Sequence, residues 1–381
     1  MNPILIDVSA CCEHHTNDAL EQLHKAISDG SPDDIWLPSD NPFVSRLIEL
    51  ITARGLMRIE SFVKDLRAWS EGERYRPGNR PARPDGAMQR WTDSELALVR
   101  LYLETLPPTE FTIDDHMLVI DFLAQRYFPV DDIRSEADWL ATRSVLMGRV
   151  QANMENLTQQ QADTVLMALP VSAAAAEAEF SMTPMQRAVM DFGRARCAEN
   201  MVQAVSSVKS RTKRIVMRHQ EKRAMGDLSG PSLESDLRDA MGELNKDWRR
   251  IALTETAENQ NQGYIASLPN GTKVRRVEQY RGACPFCRKI DGVVMEVTSA
   301  ANPDKDGDTQ IWAGKTNIGR SASPRRRQAG ALIERQPDEM WWIPAGTAHP
   351  HCRGRWVEEI KDRPQDDPEF GDYLRELLRK K

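Results

Sequence analysis

The 381-residue sequence has no apolar run approaching the ~18–20 residues that a membrane span needs, so no membrane partner is expected. Its first residues, MNPILIDVSACC, lack a basic n-region and carry Asp7 inside their one apolar stretch, which does not read as a signal peptide. Cysteine is scarce, at six residues. Without an export signal, those thiols are expected as reduced side chains or metal ligands of a protein made in the cytoplasm, not as a disulfide framework. Also missing are a Walker loop, a dinucleotide fingerprint and a Gly-x-Ser-x-Gly elbow, so nucleotide-driven and serine-hydrolase chemistry find no support.

What is present is long enough to bury a sizeable core in two or three domains. Hydrophobic residues make up 40% and charged residues 28%, the balance of an ordinary globular protein. The net charge of −6 hides an asymmetry: residues 1–175 hold 16 Lys+Arg against 27 Asp+Glu, and the remainder 35 against 30. An acidic front and a basic back suit either two surfaces with different partners or simply solvated faces.

Helical periodicity dominates the first 270 residues. DNPFVSRLIELITARGLMRIESFVKDLRAW places Leu47, Ile48, Ile51, Phe62 and Leu66 at helical spacing, with Gly55 expected as a break. Residues 71–86, EGERYRPGNRPARPDG, read as a solvated linker. Further helices are expected over 92–106, 113–127, 135–156 and 158–169, the last opened by Thr158 and Gln161 at capping-box spacing. A domain boundary is expected near the Ala-rich stretch 171–184, then a helix from Pro184 towards Met225 and another up to PNG at 269–271. No internal repeat is evident.

After PNG the period changes. Residues 272–280, 292–297, 339–345 and 355–360 read as short strands, with a long polar loop between the second and third. The expected class is α+β: predominantly helical N-terminal and central regions, then a small zinc-stabilised β-sheet domain near the C-terminus. The segments are 1–70, mainly helical; 71–86, linker; 87–175, helical; 176–270, long helices; 271–362, β-domain with a zinc knuckle; and 363–381, an acidic tail with a short docking helix.

The chemistry concentrates in the β-region. Cys284 and Cys287 stand at C-x2-C spacing in RGACPFCRKIDG, and His349 and Cys352 repeat the geometry as H-x2-C in TAHPHCRGRW. Three thiolates and one imidazole form a closed tetrahedral set for structural Zn2+, and soft thiolates favour zinc over magnesium or calcium. His351 is the alternative to His349, although adjacent His351 and Cys352 would tend to point apart on an extended chain. Four protein ligands leave no open position for catalytic water.

The other candidates point to structure. CCEHH at 11–15 is too crowded for a tetrahedron, Cys197 fits a helix core, and Glu255 and Glu258 share a helical face without a nearby His or phosphate loop. Two basic segments suit phosphates or an acidic protein ring. One carries Lys209, Arg211, Lys213, Arg214 and Arg218, and the other Arg325, Arg326 and Arg327.

Three segments, in order, resemble the phage Mu F-like minor head proteins, also called head morphogenesis proteins. RRIALTETAENQNQGY matches an Arg-x-x-Ala-x-Thr-Glu segment followed by Asn and Gly, through Arg249, Ala252, Thr254, Glu255, Asn261 and Gly263. CPFCRKIDG matches a Cys-x-x-Cys before an Asp-Gly turn, and HPHCR at 349–353 matches the closing His-Pro-x-Cys-Arg. The likeness covers roughly 185–360, so 176–270 would be the long-helix part of the head-morphogenesis domain. Family members commonly place another Cys where Gly354 stands here. The resemblance implies a non-enzymatic, low-copy component of the capsid interior or portal vertex. It would be present in host cytoplasm during assembly and then in procapsid or virion. Its partners would be the portal protein and the major capsid or scaffold protein, with packaged DNA a non-specific contact. The alternative is an HNH-like nuclease or toxin enzyme, which would need further metal ligands; no histidine lies between 220 and 348. A free DNA-binding regulator is disfavoured by overall acidity and the lack of helix-turn-helix spacing.

Overall fold

The computed structural model of the chain describes residues 42–84, 91–154, 157–227, 229, 233–279, 283–350, 352–359 and 368–379. Helices come first: α1 (Pro42–Ser70), α2 (Asp93–Thr105), α3 (Ile113–Tyr127), α4 (Val130–Asn153), α5 (Gln159–Ala168), α6 (Ala173–Glu179), α7 (Pro184–Ala224) and α8 (Leu233–Ala266). The β-region follows, with β1 (Lys273–Val277), α9 (Pro285–Ile290), β2 (Val294–Val297), β3 (Gln310–Ile311), β4 (Arg325–Gln328), β5 (Ala331–Glu334) and β6 (Arg355–Glu358). α10 (Pro368–Arg379) closes the chain. The class is α+β.

Helix starts follow local chemistry. Thr92 with Glu95, Thr112 with Asp115 and Thr158 with Gln161 form reciprocal capping boxes that satisfy otherwise orphaned N–H groups. α1 runs through Gly55 without a break. A Cβ at 55 would lie 2.4 Å from the Trp248 indole, so glycine serves close packing there, not termination. Within 71–84 no helix or strand forms, and Arg74 binds Asp65, Arg80 binds Glu110 at 3.1 Å and Arg83 binds Asp115 at 3.2 Å.

Two compact units divide the chain. The first takes 1–50, 137–200 and 250–381; the second takes 51–136 and 201–249. Residues 171–184 lie inside the first. The core of the second is apolar, with Phe62, Leu66, Leu103, Ile120, Leu123 and Trp248 all buried. In the first, α4 and α8 approach through glycine: a Cβ on Gly148 would lie 2.1 Å from the Gln260 carbonyl oxygen, and one on Gly263 2.3 Å from that of Val145. α10 docks Phe370 and Leu374, both buried, with Phe370 edge-on to Phe180 at 5.0 Å and beneath the Arg149 guanidinium at 4.3 Å.

The sheet has the order β3-β2-β1-β6, antiparallel except for the parallel β2–β3 pair. Val274 pairs with Met295, and Arg276 with Trp356. β1 alternates exposed and buried residues, so Val274 and Arg276 share the inner face. Two expectations change here. Residues 341–345 are not a strand: Trp342 Nε1 donates to Thr316 O at 2.8 Å, its backbone N–H to Asn317 Oδ1 at 3.2 Å, and Pro344 has no N–H to offer. The long polar loop holds β3 and the β4–β5 hairpin, whose two-residue turn puts Ala329 (φ 49°) and Gly330 (φ 84°) in the left-handed region that a type I′ turn requires.

Candidate metal centre

Cys284 caps the short helix α9, its Sγ accepting from Cys287 N–H at 3.4 Å, and Pro285 takes the first helical position, where no N–H is needed. The cap and the spacing aim both sulfurs to one side. Across from them, Cys352 N–H bonds His349 O at 3.1 Å and closes the H-x2-C turn.

The two turns meet. His349 Nε2 lies 3.1 Å from Cys284 Sγ and 3.2 Å from Cys287 Sγ, and Cys287 Sγ lies 3.9 Å from Cys352 Sγ. Cys284, Cys287 and His349 form one donor group, with every ligand atom within 4.8 Å of the others, and Cys352 joins Cys287 and Glu278 in a second. His349 Nδ1 lies 2.7 Å from Pro350 O. A carbonyl only accepts, so Nδ1 carries a proton, and Nε2 is the ring atom that faces the sulfurs. The imidazole stacks on Trp341 (17°, 6.0 Å), which Phe286 meets edge-on at 5.1 Å. Cys287 and Cys352 are wholly buried and Cys284 nearly so.

Electrostatics suit a cation. The hydrogen bond with Cys287, reinforced by His349, holds the Cys284 thiol down to about 4 against its burial. Burial disfavours charge on His349, yet the hydrogen bond with Cys284 and the Cys352 and Cys284 charges push it up to about 9. Hydrogen bonds with Cys284 and Cys352, and then burial, push Cys287 up. The hydrogen bond with Cys287, helped by Arg276, draws Cys352 well below the usual thiol range. Four donors competing for too few protons are what a divalent ion would relieve. Cys284, Cys287 and His349 could together hold a metal ion, and so could Cys287 and Cys352 with Glu278.

Residues not foreseen surround the cage. Arg276 on the inner face of β1 and Glu278 just beyond the strand are buried and paired at 2.7 Å. On α8, residues 251–265 are all buried, and several of their polar side chains bond neighbouring segments. Glu258 accepts from the Thr347 N–H and, at 3.0 Å, its hydroxyl. Asn261 donates to Gly354 O at 2.8 Å, and Gln262 accepts from Gly314 N–H at 2.8 Å. Glu255 accepts from Arg196 and Asn200, both at 2.9 Å. Arg196 also lies 3.9 Å from Glu258, so the two carboxylates share one cation while bonding different neighbours. The period-two pattern Val274, Arg276, Glu278 was the available signal for the inner pair; nothing in the helix periodicity marked its polar face as buried.

The basic segments disperse. Lys209 and Lys213 turn inward to Asp121 at 3.3 and 2.6 Å, leaving Arg214 and Arg218 exposed and Arg211 half-buried. On the hairpin, Arg325 faces Glu334 at 3.7 Å, Arg326 binds Glu339, and Arg327 is exposed. Of the family-motif residues, Thr254, Glu255 and Asn261 are buried, Gly263 makes the close helix contact and Arg249 is half-buried. Cys197 is a buried core residue. His351 and CCEHH at 11–15 lie outside the described residues. No described helix is long and apolar enough to cross a membrane. No family model matches the chain, and no match is found among curated proteins or solved structures.

Proposed function

We propose that this chain is a minor structural protein of a tailed-phage or prophage head, acting at the portal vertex or capsid interior during procapsid assembly. Its C-terminal sheet would be locked by a zinc ion held by Cys284, Cys287, His349 and Cys352. One observation carries the reading. The three segments that resemble Mu F-like proteins converge: Glu258 and Asn261 of the first bond the backbone at 347 and 354, on either side of the His349–Cys352 turn, which meets the Cys284–Cys287 turn through His349. Segments that build one module support the resemblance better than three separate short matches.

In this reading the zinc is scaffolding, because four protein ligands close its coordination. Gly354, where family members commonly have a further cysteine, leaves the ligand set intact. A Cβ there would lie 1.9 Å from Glu278 Oε1, so a carboxylate fills that space in this chain. The exposed Arg214, Arg218 and Arg327 are the side chains available to portal, scaffold or packaged DNA.

The test is mass spectrometry of purified procapsids and mature particles, quantified against portal and major capsid protein. A few copies per particle, retained through stringent washing, are expected. Absence from both, together with metal-dependent plasmid nicking that is lost in His351→Ala, would replace this reading with a nuclease.

A further inference from the structure

The metal cage has a second, overlapping donor set. Glu278, Cys287 and Cys352 bring a carboxylate oxygen and two sulfurs within 4.8 Å of one another, all buried. Both Glu278 oxygens lie 3.7 Å from Cys352 Sγ. A carboxylate so placed is a competent zinc ligand by charge and reach.

Arg276 keeps that carboxylate occupied. Its Nε donates to Glu278 Oε1 at 2.7 Å, its Nη1 to Gly346 O at 3.0 Å, and its Nη2 faces Cys352 Sγ at 3.6 Å. The guanidinium is wholly buried and lies over the Trp356 ring, 5.3 Å from its centroid. Rigid fork geometry fixes all three contacts at once, which a lysine ammonium cannot reproduce.

We infer that Arg276 is the specificity-determining residue of this metal centre. By holding Glu278 and facing Cys352, it selects the Cys284, Cys287, His349 and Cys352 set over the set containing Glu278. This rests on the zinc reading above. Three thiolates around a divalent ion leave one net negative charge in a buried site, and a carboxylate ligand would make it two if it displaced His349. The Arg276 cation opposes that charge from the Cys352 side. Without Arg276, Glu278 would be a buried carboxylate with no partner, an expensive state. The nearest cation would be the metal, so Glu278 would turn to it and displace His349 or Cys284. The ligand set would become harder, favouring oxygen-loving ions more than before.

The experiment loads the full-length chain with cobalt(II) and reads the thiolate-to-cobalt charge-transfer and d–d absorption, which report thiolate number and geometry. It also measures zinc affinity by chelator competition. Wild type should show a tetrahedral three-thiolate spectrum. Arg276→Met should change the spectrum and weaken zinc binding by about 10–100-fold, the usual effect of losing an outer-shell partner. The double variant Arg276→Met/Glu278→Gln should recover the wild-type spectrum, since the competing carboxylate is gone. Arg276→Lys keeps a buried cation and decides the matter if Arg276→Met does not fold; a smaller change in the same direction is expected. A wild-type spectrum in the folded Arg276 variants, or no recovery in the double variant, would overturn the inference while leaving the zinc site standing. A wild-type chain that takes up neither cobalt nor zinc would instead bring down the zinc reading itself.

Discussion

The second unit buries Leu66, Leu103, Ile120, Leu123 and Trp248 with Asp65, Asp115 and Glu136, whereas the β-region of the first buries Arg276, Glu278, Lys315 and three cysteines among apolar residues such as Val274, Met295, Ile311 and Trp356. In the second unit each large apolar side chain contributes roughly 1.5–3 kcal/mol by leaving water, with little dependence on its exact partner. In the β-region the buried groups stabilise only when every donor meets an acceptor, and an unmet one costs about 1–3 kcal/mol. Lys315 illustrates this: its ammonium donates to Gly307 O at 2.6 Å and Gln310 O at 2.9 Å, between the Trp312 and Trp342 rings. The helical unit should therefore degrade gradually under substitution, and the sheet around the candidate metal centre more abruptly.

The largest effect is expected from Cys352→Ser. Structural zinc in small peptides contributes ~10–16 kcal/mol of apparent binding energy, so the variant should lose stoichiometric metal and amide protection across β1 and β6. Protection in α2 and α3 should persist. Elemental analysis with hydrogen exchange checks both, and equal loss in α2 and α3 would erase the contrast.

Next is Phe370→Ala. Removing a buried aromatic costs about 3–5 kcal/mol, so α10 should leave Phe180 and Arg149 and become protease-sensitive while the metal stays bound. Loss of metal in this variant would show that the sheet is less self-contained than its ligand set suggests.

A matched pair sharpens the comparison. Gly263→Ala drives a Cβ into the Val145 backbone, which cannot swing aside, and should lower stability by about 1–3 kcal/mol in urea titrations. Gly55→Ala drives a Cβ into the Trp248 indole, which is buried and bonded from Nε1 to Ile51 O at 3.1 Å, so a comparable cost is expected in the second unit.

The smallest effect concerns acid. Burial lowers the His116 pKa below its ordinary 6.5, with Asp115 partly opposing. Between that lowered value and about 6.5 the unfolded chain binds more protons at this site, so stability falls as pH drops through 6.5 and levels off below the folded value. His116→Gln should flatten that limb in urea midpoints taken from pH 7.5 to 5. Protonation of the thiolates should expel metal at lower pH, giving the sheet its own, steeper acid transition.

Much of the helical architecture was legible because it rests on local rules. Capping pairs such as Thr158 and Gln161 act within four residues, and α3 begins and ends where periodicity and Thr112 place it. The ligand pattern was legible for a related reason: C-x2-C and H-x2-C each set two donors on one turn. Gly55 misled because a glycine needed for packing and a glycine that ends a helix look alike until Trp248 is in place. Residues 339–345 misled because tryptophans favour strands in general, while here Trp342 is held by Thr316 and Asn317.

The sequence by itself determined the α+β order, most helix ends and the two donor pairs, Cys284 with Cys287 and His349 with Cys352, since each depends on residues a few positions apart. Only the tertiary structure decided that Arg276 holds Glu278 beside Cys352, that α8 buries Glu255, Glu258 and Asn261, and that Lys209 and Lys213 face Asp121. Those choices join groups far apart in the chain, or set which side of an element is buried. The free energy of a charged side chain depends on which partner and how much water it meets, which no local pattern records.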